Sequence, residues 1–241
     1  MKRNCVEVQN VSKGYIRPNG EKVMICRNFN LDIEKGKINV IIGDSGCGKT
    51  TLLNMIAGFE NYEEGNIRLD SDCKMGILFQ DNVLYPWKTV MGNMLFACKH
   101  AFNDPKVVVR EYMNKVGLHN IENCYPNELS GGMQQRIALL RILLTNPNLL
   151  LLDEAFGSLD CQTRNQMQNL FLDLHAEKRF TALVVTHDIL EATLLGDNIF
   201  VFRGQPLSFD VIKNHQKADG NYAETIERIK NVLNIANTQL F

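Results

Sequence analysis

Gly43-Asp44-Ser45-Gly46-Cys47-Gly48-Lys49-Thr50 follows the apolar run Ile38-Asn39-Val40-Ile41-Ile42 and leads into Thr51-Leu52-Leu53-Asn54-Met55-Ile56-Ala57, whose apolar spacing is helical. The stretch therefore joins a buried strand to a helix, the context that a phosphate-binding loop requires. Glycines let the backbone turn so that successive N–H groups converge on phosphate oxygens, and the helix start adds its positive dipole end beneath the same anion. Lys49 would reach the β- and γ-phosphates and the Thr50 hydroxyl would ligate Mg²⁺. An ordinary glycine-rich turn explains the glycines, but not a Lys-Thr pair at the first helical turn.

On the N-terminal side of this loop, Cys5-Val6-Glu7-Val8-Gln9-Asn10-Val11 alternates as a half-solvated strand, and residues 23–33 read as a second strand. Tyr15 lies between them, before the turn Pro18-Asn19-Gly20, as a packing residue or as a stacking surface for adenine. On the C-terminal side, residues 65–69 and 74–79 read as short strands, and residues 90–118 as helical, with Asp104-Pro105 as N-cap and N1 and Gly117 as a terminus. Ser130 suits the N-cap of a further helix running to about Leu144. Two glycines just inside that helix, Gly131 and Gly132, weaken it unless something must approach closely, and a second anion is the natural occupant. Leu149-Leu150-Leu151-Leu152 reads as a central strand that delivers Asp153 and Glu154 to its C-terminal end, the edge where open α/β sheets bind ligands. Residues 162–178 read as a helix and 180–186 as another buried strand ending at His187. Residues 198–202 read as the last strand, followed by a polar linker and a charged helix from Tyr222 to about Ala236.

With 241 residues, 45% of them hydrophobic, the chain can bury a substantial core. Its 26 Lys and Arg against 27 Asp and Glu give a net charge of −1, so no global basic field draws it to nucleic acid or anionic lipid. No apolar run approaches a membrane span, and Glu7 interrupts the N-terminus before a signal-peptide h-region could form; both point to a cytoplasmic protein. The seven cysteines are scattered and never spaced C-x-x-C, which reads as free thiols rather than a disulfide framework or zinc site. Cys47 stands apart, since Lys49 and a helix N-terminus would favour its thiolate, reactive toward thiol reagents and shielded by MgATP.

These residues, in this order, resemble the ATP-binding subunit of an ABC transporter. The 43–50 loop corresponds to Walker A, Gln80 to the Q-loop, Leu129-Ser130-Gly131-Gly132-Met133-Gln134-Gln135-Arg136 to the signature, the run ending in Asp153 and Glu154 to Walker B, Ser158-Leu159-Asp160 to the D-loop, and His187 to the switch histidine. The Pro86-Trp87 pair after Phe79-Gln80-Asp81 is similar to the nitrate/sulfonate/taurine importer branch. Ala155 departs from the proline usual after the glutamate, and residues 65–79 leave little room for the usual hairpin.

The resemblance implies an α/β P-loop NTPase core, a mixed sheet flanked by helices with an antiparallel β subdomain, carrying an inserted helical subdomain. Within the single domain 1–241, the core would take residues 1–80 and 147–210, the helical subdomain 81–146, and a C-terminal tail 211–241. It implies an ATPase in which Gly43, Asp44, Ser45, Gly46, Cys47, Gly48, Lys49, Thr50 and Thr51 hold the phosphates of ATP and Tyr15 stacks on adenine. Thr50, Gln80 and Asp153 serve Mg²⁺, Glu154 polarises the attacking water, and His187 contacts the γ-phosphate, with Lys49 and Gln80 completing the catalytic set. Ser130, Gly131 and Gly132 of one subunit would close on ATP held by a second copy. A membrane permease and, indirectly, a solute-binding protein are the implied partners, at the cytoplasmic face of the membrane, with no nucleic acid. A DNA-repair ATPase of the same superfamily would need long heptad coiled coils between Gln80 and Ser130, and a translation ATPase would need two Walker sets; neither occurs in the sequence.

Overall fold

The structure, a computed structural model, describes residues 4–78, 84–98, 102–157, 159–214 and 222–234. It divides into two units, one of residues 1–73, 151–154 and 180–241, the other of residues 74–150 and 155–179.

In the first unit, β1 (Asn4–Ile16) pairs antiparallel with both β2 (Lys22–Glu34) and β4 (Glu64–Leu69), giving the order β2-β1-β4. Asn10 and Asn28 take left-handed φ of 50° and 48° where the β1–β2 ladder slips, a conformation asparagine tolerates better than most side chains. The second sheet is built on β3 (Ile38–Gly43), buried along its whole length between β7 (Thr181–Thr186) and β8 (Asn198–Arg203), both parallel to it. The end of β6 (Leu149–Asp153) lies beyond β7. The helix α1 (Lys49–Ala57) leaves β3 and stops at Gly58, whose φ of 77° no β-carbon favours. Asp188 caps α6 (Ile189–Leu195) by accepting from the Leu190 and Glu191 amides, and α7 (Ala223–Val232) buries Thr225 and Ile229.

Sequence places the last strand at residues 198–202. The structure adds β9 (Ser208–Lys213), antiparallel to β8 from Arg203↔Ser208 to Asn198↔Lys213. Its alternation is imperfect because it is an edge strand, with Val211 facing solvent beside buried Ile212.

The second unit holds β5 (Met75–Leu78), α2 (Val90–Ala97), α3 (Pro105–Lys115), α4 (Gly131–Leu143) and α5 (Cys161–Lys178). The strands β4 and β5 belong to different sheets, so residues 65–78 form no hairpin. Each helix is capped by a side-chain oxygen: Thr89 accepts from Gly92 N, Asp104 from Val107 N with Pro105 at N1, Ser130 from Met133 N and Asp160 from Thr163 N. Phe156 and Phe171 meet edge-on, centroids 6.1 Å apart, and Leu139, Leu140 and Met167 of the same unit are also fully buried.

One polar residue in the apolar run before the 43–50 loop has a structural cause. Asn39 is fully buried, and its amide donates to the carbonyls of Glu34 (3.1 Å), Lys37 (3.1 Å) and Ala182 (3.3 Å) while its oxygen accepts from Asn198 Nδ2 (2.9 Å). It ties the turn before β3 to the start of β7 through main-chain acceptors, with its own polar atoms paired despite full burial. Asn39→Ala is therefore expected to destabilise the fold by about 2–4 kcal/mol; a urea midpoint unchanged from wild type would show that these bonds contribute nothing net.

Candidate functional site

At the C-terminal end of β3, sterics select glycine three times. A β-carbon on Gly43 would stand 2.5 Å from the Phe202 carbonyl oxygen, Gly46 has φ of 77°, and Gly48 combines φ of 115° with a β-carbon position 2.5 Å from Ile25 Cγ2. The chain can turn into α1 here only without side chains at these points. Lys49 begins the helix, is 5% exposed, and its ammonium donates to the carbonyls of Gly43 (2.7 Å) and Asp44 (2.8 Å). A buried charge needs such partners, and these hold Nζ against the loop.

The neighbouring strands bring the acids. Asp153 ends β6 and accepts from the Thr50 hydroxyl at 3.3 Å. Burial pushes the Asp153 carboxyl up, Glu154 adds to the rise, and the Thr50 bond and the Lys49 charge oppose it. Glu154 adopts a left-handed φ of 47°, and its N–H donates to the Val185 carbonyl of β7 at 2.9 Å. That conformation turns the chain off the strand and sets Glu154 Oε1 3.2 Å from Nδ1 of His187, the residue just past β7. A cavity of about 200 Å³ is lined by Ile25, Ser45, Gly46, Gly48, Lys49, Thr50, Thr51 and Glu154.

Lys49, Thr50, Asp153, Glu154 and His187 thus come from three strand ends into one place, donors for a polyanion beside carboxylates. The hydroxyl of Thr50 and the carboxylate of Asp153 are hard oxygen donors that suit Mg²⁺, and a cation there would offset the burial of Asp153. Tyr15 is 40% exposed, with Lys13 Nζ 4.7 Å from its ring centroid, and does not line this cavity. Gln80, with Phe79 and Asp81, and Ser158 lie outside the described residues.

In the second unit, Ser130, Gly131 and Gly132 line a separate cavity of about 280 Å³ with Gln135, Leu159, Asp160 and Thr163. The two glycines have different causes. A β-carbon on Gly132 would meet Thr163 Cγ2 at 2.5 Å, so this glycine lets α4 and α5 pack closely, whereas one on Gly131 would meet nothing within 4 Å. The close approach expected at both positions is met at Gly132 by an internal helix contact on its β-carbon side, while the β-carbon side of Gly131 is open, and both glycines line the cavity.

Cys47 also departs from expectation. It is 6% exposed, and burial raises its thiol pKa, outweighing the Lys49 charge that acts the other way. Residues that sequence reading missed stand behind the loop: Leu207, whose side chain faces Gly48, and Gln205, whose amide donates to the Gly46 carbonyl at 2.6 Å. No motif marks them, because the β8–β9 turn that carries them was itself not anticipated.

Comparison with known proteins defines the class first. A dimeric cassette in a post-hydrolysis state with ADP and Pi superposes with a TM-score of 0.74 at 30% identity, covering 87% of this chain and 99% of that one. Residues 26–157 match the ABC transporter family, and the chain belongs to it. Its relatives include the aliphatic sulfonates import ATP-binding protein of Bacillus cereus, 41% identical over 83% of this chain and 82% of that protein. The taurine import ATP-binding protein of Pelagibacter ubique is 39% identical over 82% of this chain and 78% of that protein.

The thiol geometry is directly measurable. Exposed Cys161 is expected to alkylate at neutral pH at least about tenfold faster than Cys47, with or without nucleotide. Mass-spectrometric mapping that finds Cys47 modified first would show the loop more open than described.

Proposed function

We propose that the chain is the ATP-binding and ATP-hydrolysing subunit of an importer for small sulfonate-, taurine- or nitrate-like solutes, working at the cytoplasmic face of the membrane through a separate permease. The observation that carries this is the convergence of Lys49, Thr50, Asp153, Glu154 and His187 beside the glycine-built loop. The family membership and the sulfonate and taurine relatives support the transport reading. The permease would supply the spanning segments, since no described helix is long and apolar enough to cross a membrane.

Hydrolysis of a phosphoanhydride needs the phosphates held, their charge offset and a water aligned. The loop amides and the Lys49 ammonium hold the phosphates. Bound Mg²⁺ would supply charge neutralisation at the β- and γ-phosphates, held by Thr50 and Asp153 with Gln80. Glu154 accepts the proton of the attacking water, and His187 fixes the Glu154 carboxylate through Nδ1. Tyr15 offers a face to adenine. A second copy would complete the site with Ser130 and the Gly131 amide, where the N-terminus of α4 is open. ATP-driven closure of that pair would move the permease.

The permease contact we propose is Tyr85-Pro86-Trp87. Trp87 is 71% exposed, so a core role is excluded, and its ring contacts Tyr85 at 5.6 Å, which in turn meets Phe96 at 5.1 Å, itself 54% exposed. An exposed aromatic cluster of this kind suits an interface anchor. DNA-repair ATPases with long coiled coils fit less well: the longest described helix, α5, has 18 residues.

Glu154→Gln is expected to bind ATP as wild type does but to slow hydrolysis by about a hundredfold or more and to accumulate an ATP-bound dimer on size exclusion. Near-normal turnover would remove Glu154 from the base role. For Trp87→Ala, the expected result is unchanged ATP affinity and melting temperature with roughly tenfold weaker co-purification of the permease; retained permease binding and transport would move the contact elsewhere.

A further inference from the structure

The loop of residues 43–50 rests on the turn between β8 and β9, and the contacts are of three kinds. At its start, Gly43 pairs with Phe202 in the β3–β8 ladder so closely that the Phe202 carbonyl occupies the space of a β-carbon. At its end, Gly48 faces Leu207 Cδ1, 3.3 Å from where its β-carbon would be, and the Leu207 N–H donates to the Ile25 carbonyl at 2.7 Å, tying the turn to β2 on the loop's other flank. At its centre, Gln205 Nε2 donates to the Gly46 carbonyl at 2.6 Å.

The central contact matters because a peptide group is planar. With the Gly46 carbonyl drawn toward Gln205, the N–H of the same peptide, on Cys47, must face the opposite way, where it donates to the Asp44 carbonyl at 3.3 Å across the loop. Gly46 and Gly48 sit in left-handed conformations that glycine leaves with little penalty, so the orientation of this peptide is held by hydrogen bonds, the Cys47 N–H to Asp44 on one side and the Gly46 carbonyl to Gln205 on the other. A peptide flip would present an oxygen where a phosphate needs a donor. Gln205 is the only side chain among the described residues seen to bond a carbonyl of residues 45–48.

We infer that Gln205 is a positioning residue for the phosphate loop: its amide, together with the Cys47 N–H bond to Asp44, holds the peptide between Gly46 and Cys47 in one orientation, so that the Gly46 carbonyl is kept from turning toward a polyphosphate before one arrives. The inference rests on the nucleotide-site reading of the loop. Preorganised donors contribute to binding without the cost of reorienting at the moment of contact.

The test compares wild type with Gln205→Met, nearly the same size without the donor, and Gln205→Ala. Dissociation constants for MgATP and MgADP are measured by calorimetry, alongside melting without nucleotide and steady-state hydrolysis. The expected result is about three- to tenfold weaker binding of both nucleotides in both variants, a KM that rises by more than kcat falls, and a melting temperature without nucleotide within about 2 °C of wild type. A residue that only shaped the hairpin would lower melting and leave the dissociation constants alone, which would overturn the inference. Wild-type affinity in Gln205→Met, with melting unchanged, would overturn it as well. Wild-type protein that bound no nucleotide would overturn the reading of the loop itself, and this inference with it.

Discussion

The first unit depends on one steric constraint: a strand buried on both faces must end in a turn that has no room for side chains. Gly43 lies against the Phe202 carbonyl and Gly48 against Ile25, so the exit from β3 is fixed by its neighbours before any ligand is considered. The same crowding leaves carbonyl oxygens at the strand end, and the Lys49 ammonium collects two of them. The charged group that would meet a phosphate is therefore anchored by the backbone that makes the turn.

The acids follow from the sheet. Strands β3 and β7 run parallel, so the residues at their C-terminal ends come to the same edge, and β6 brings Asp153 and Glu154 there. Asp153 meets Thr50 from the strand end itself, while Glu154 reaches His187 only by leaving the strand in a left-handed turn. Burial disfavours the ionised form of Asp153, an arrangement that suits a carboxylate meant to share its charge with a cation. Stability has been spent at the strand edge where chemistry is concentrated.

Much of this was legible from local pattern. The loop, the caps Asp104 and Ser130, and the buried runs before Asp153 and His187 all have signals within a few residues of themselves, whereas the division into two sheets was implied only by the family resemblance. What was not legible depends on partners distant in sequence. The strand β9 is an edge whose exposed face blurs its period, and Gln205 and Leu207 acquire meaning only from contacts with residues about 160 positions away. Gly131 and Gly132 look alike in sequence but differ once α5 is in place. For Cys47, local charge argued for a thiolate, and burial reversed it. Gln80 falls outside the described residues, so the role expected for it rests on motif order alone.

The backbone of Glu154 separates two kinds of damage. Left-handed φ is readily adopted by Asn, Asp and Gly and poorly by Val, Ile or Thr. Drift at this position therefore has two destinations. Under the proposed base role of Glu154, a change to Asn, Asp or Gly would leave a folded cassette that turns over slowly, and in a cell carrying both forms it would poison assemblies containing the intact subunit. A change to a β-branched residue strains the chain beside β7, and the product is cleared before it can compete. The first class would then be dominant and the second recessive, an asymmetry set by a single torsion angle.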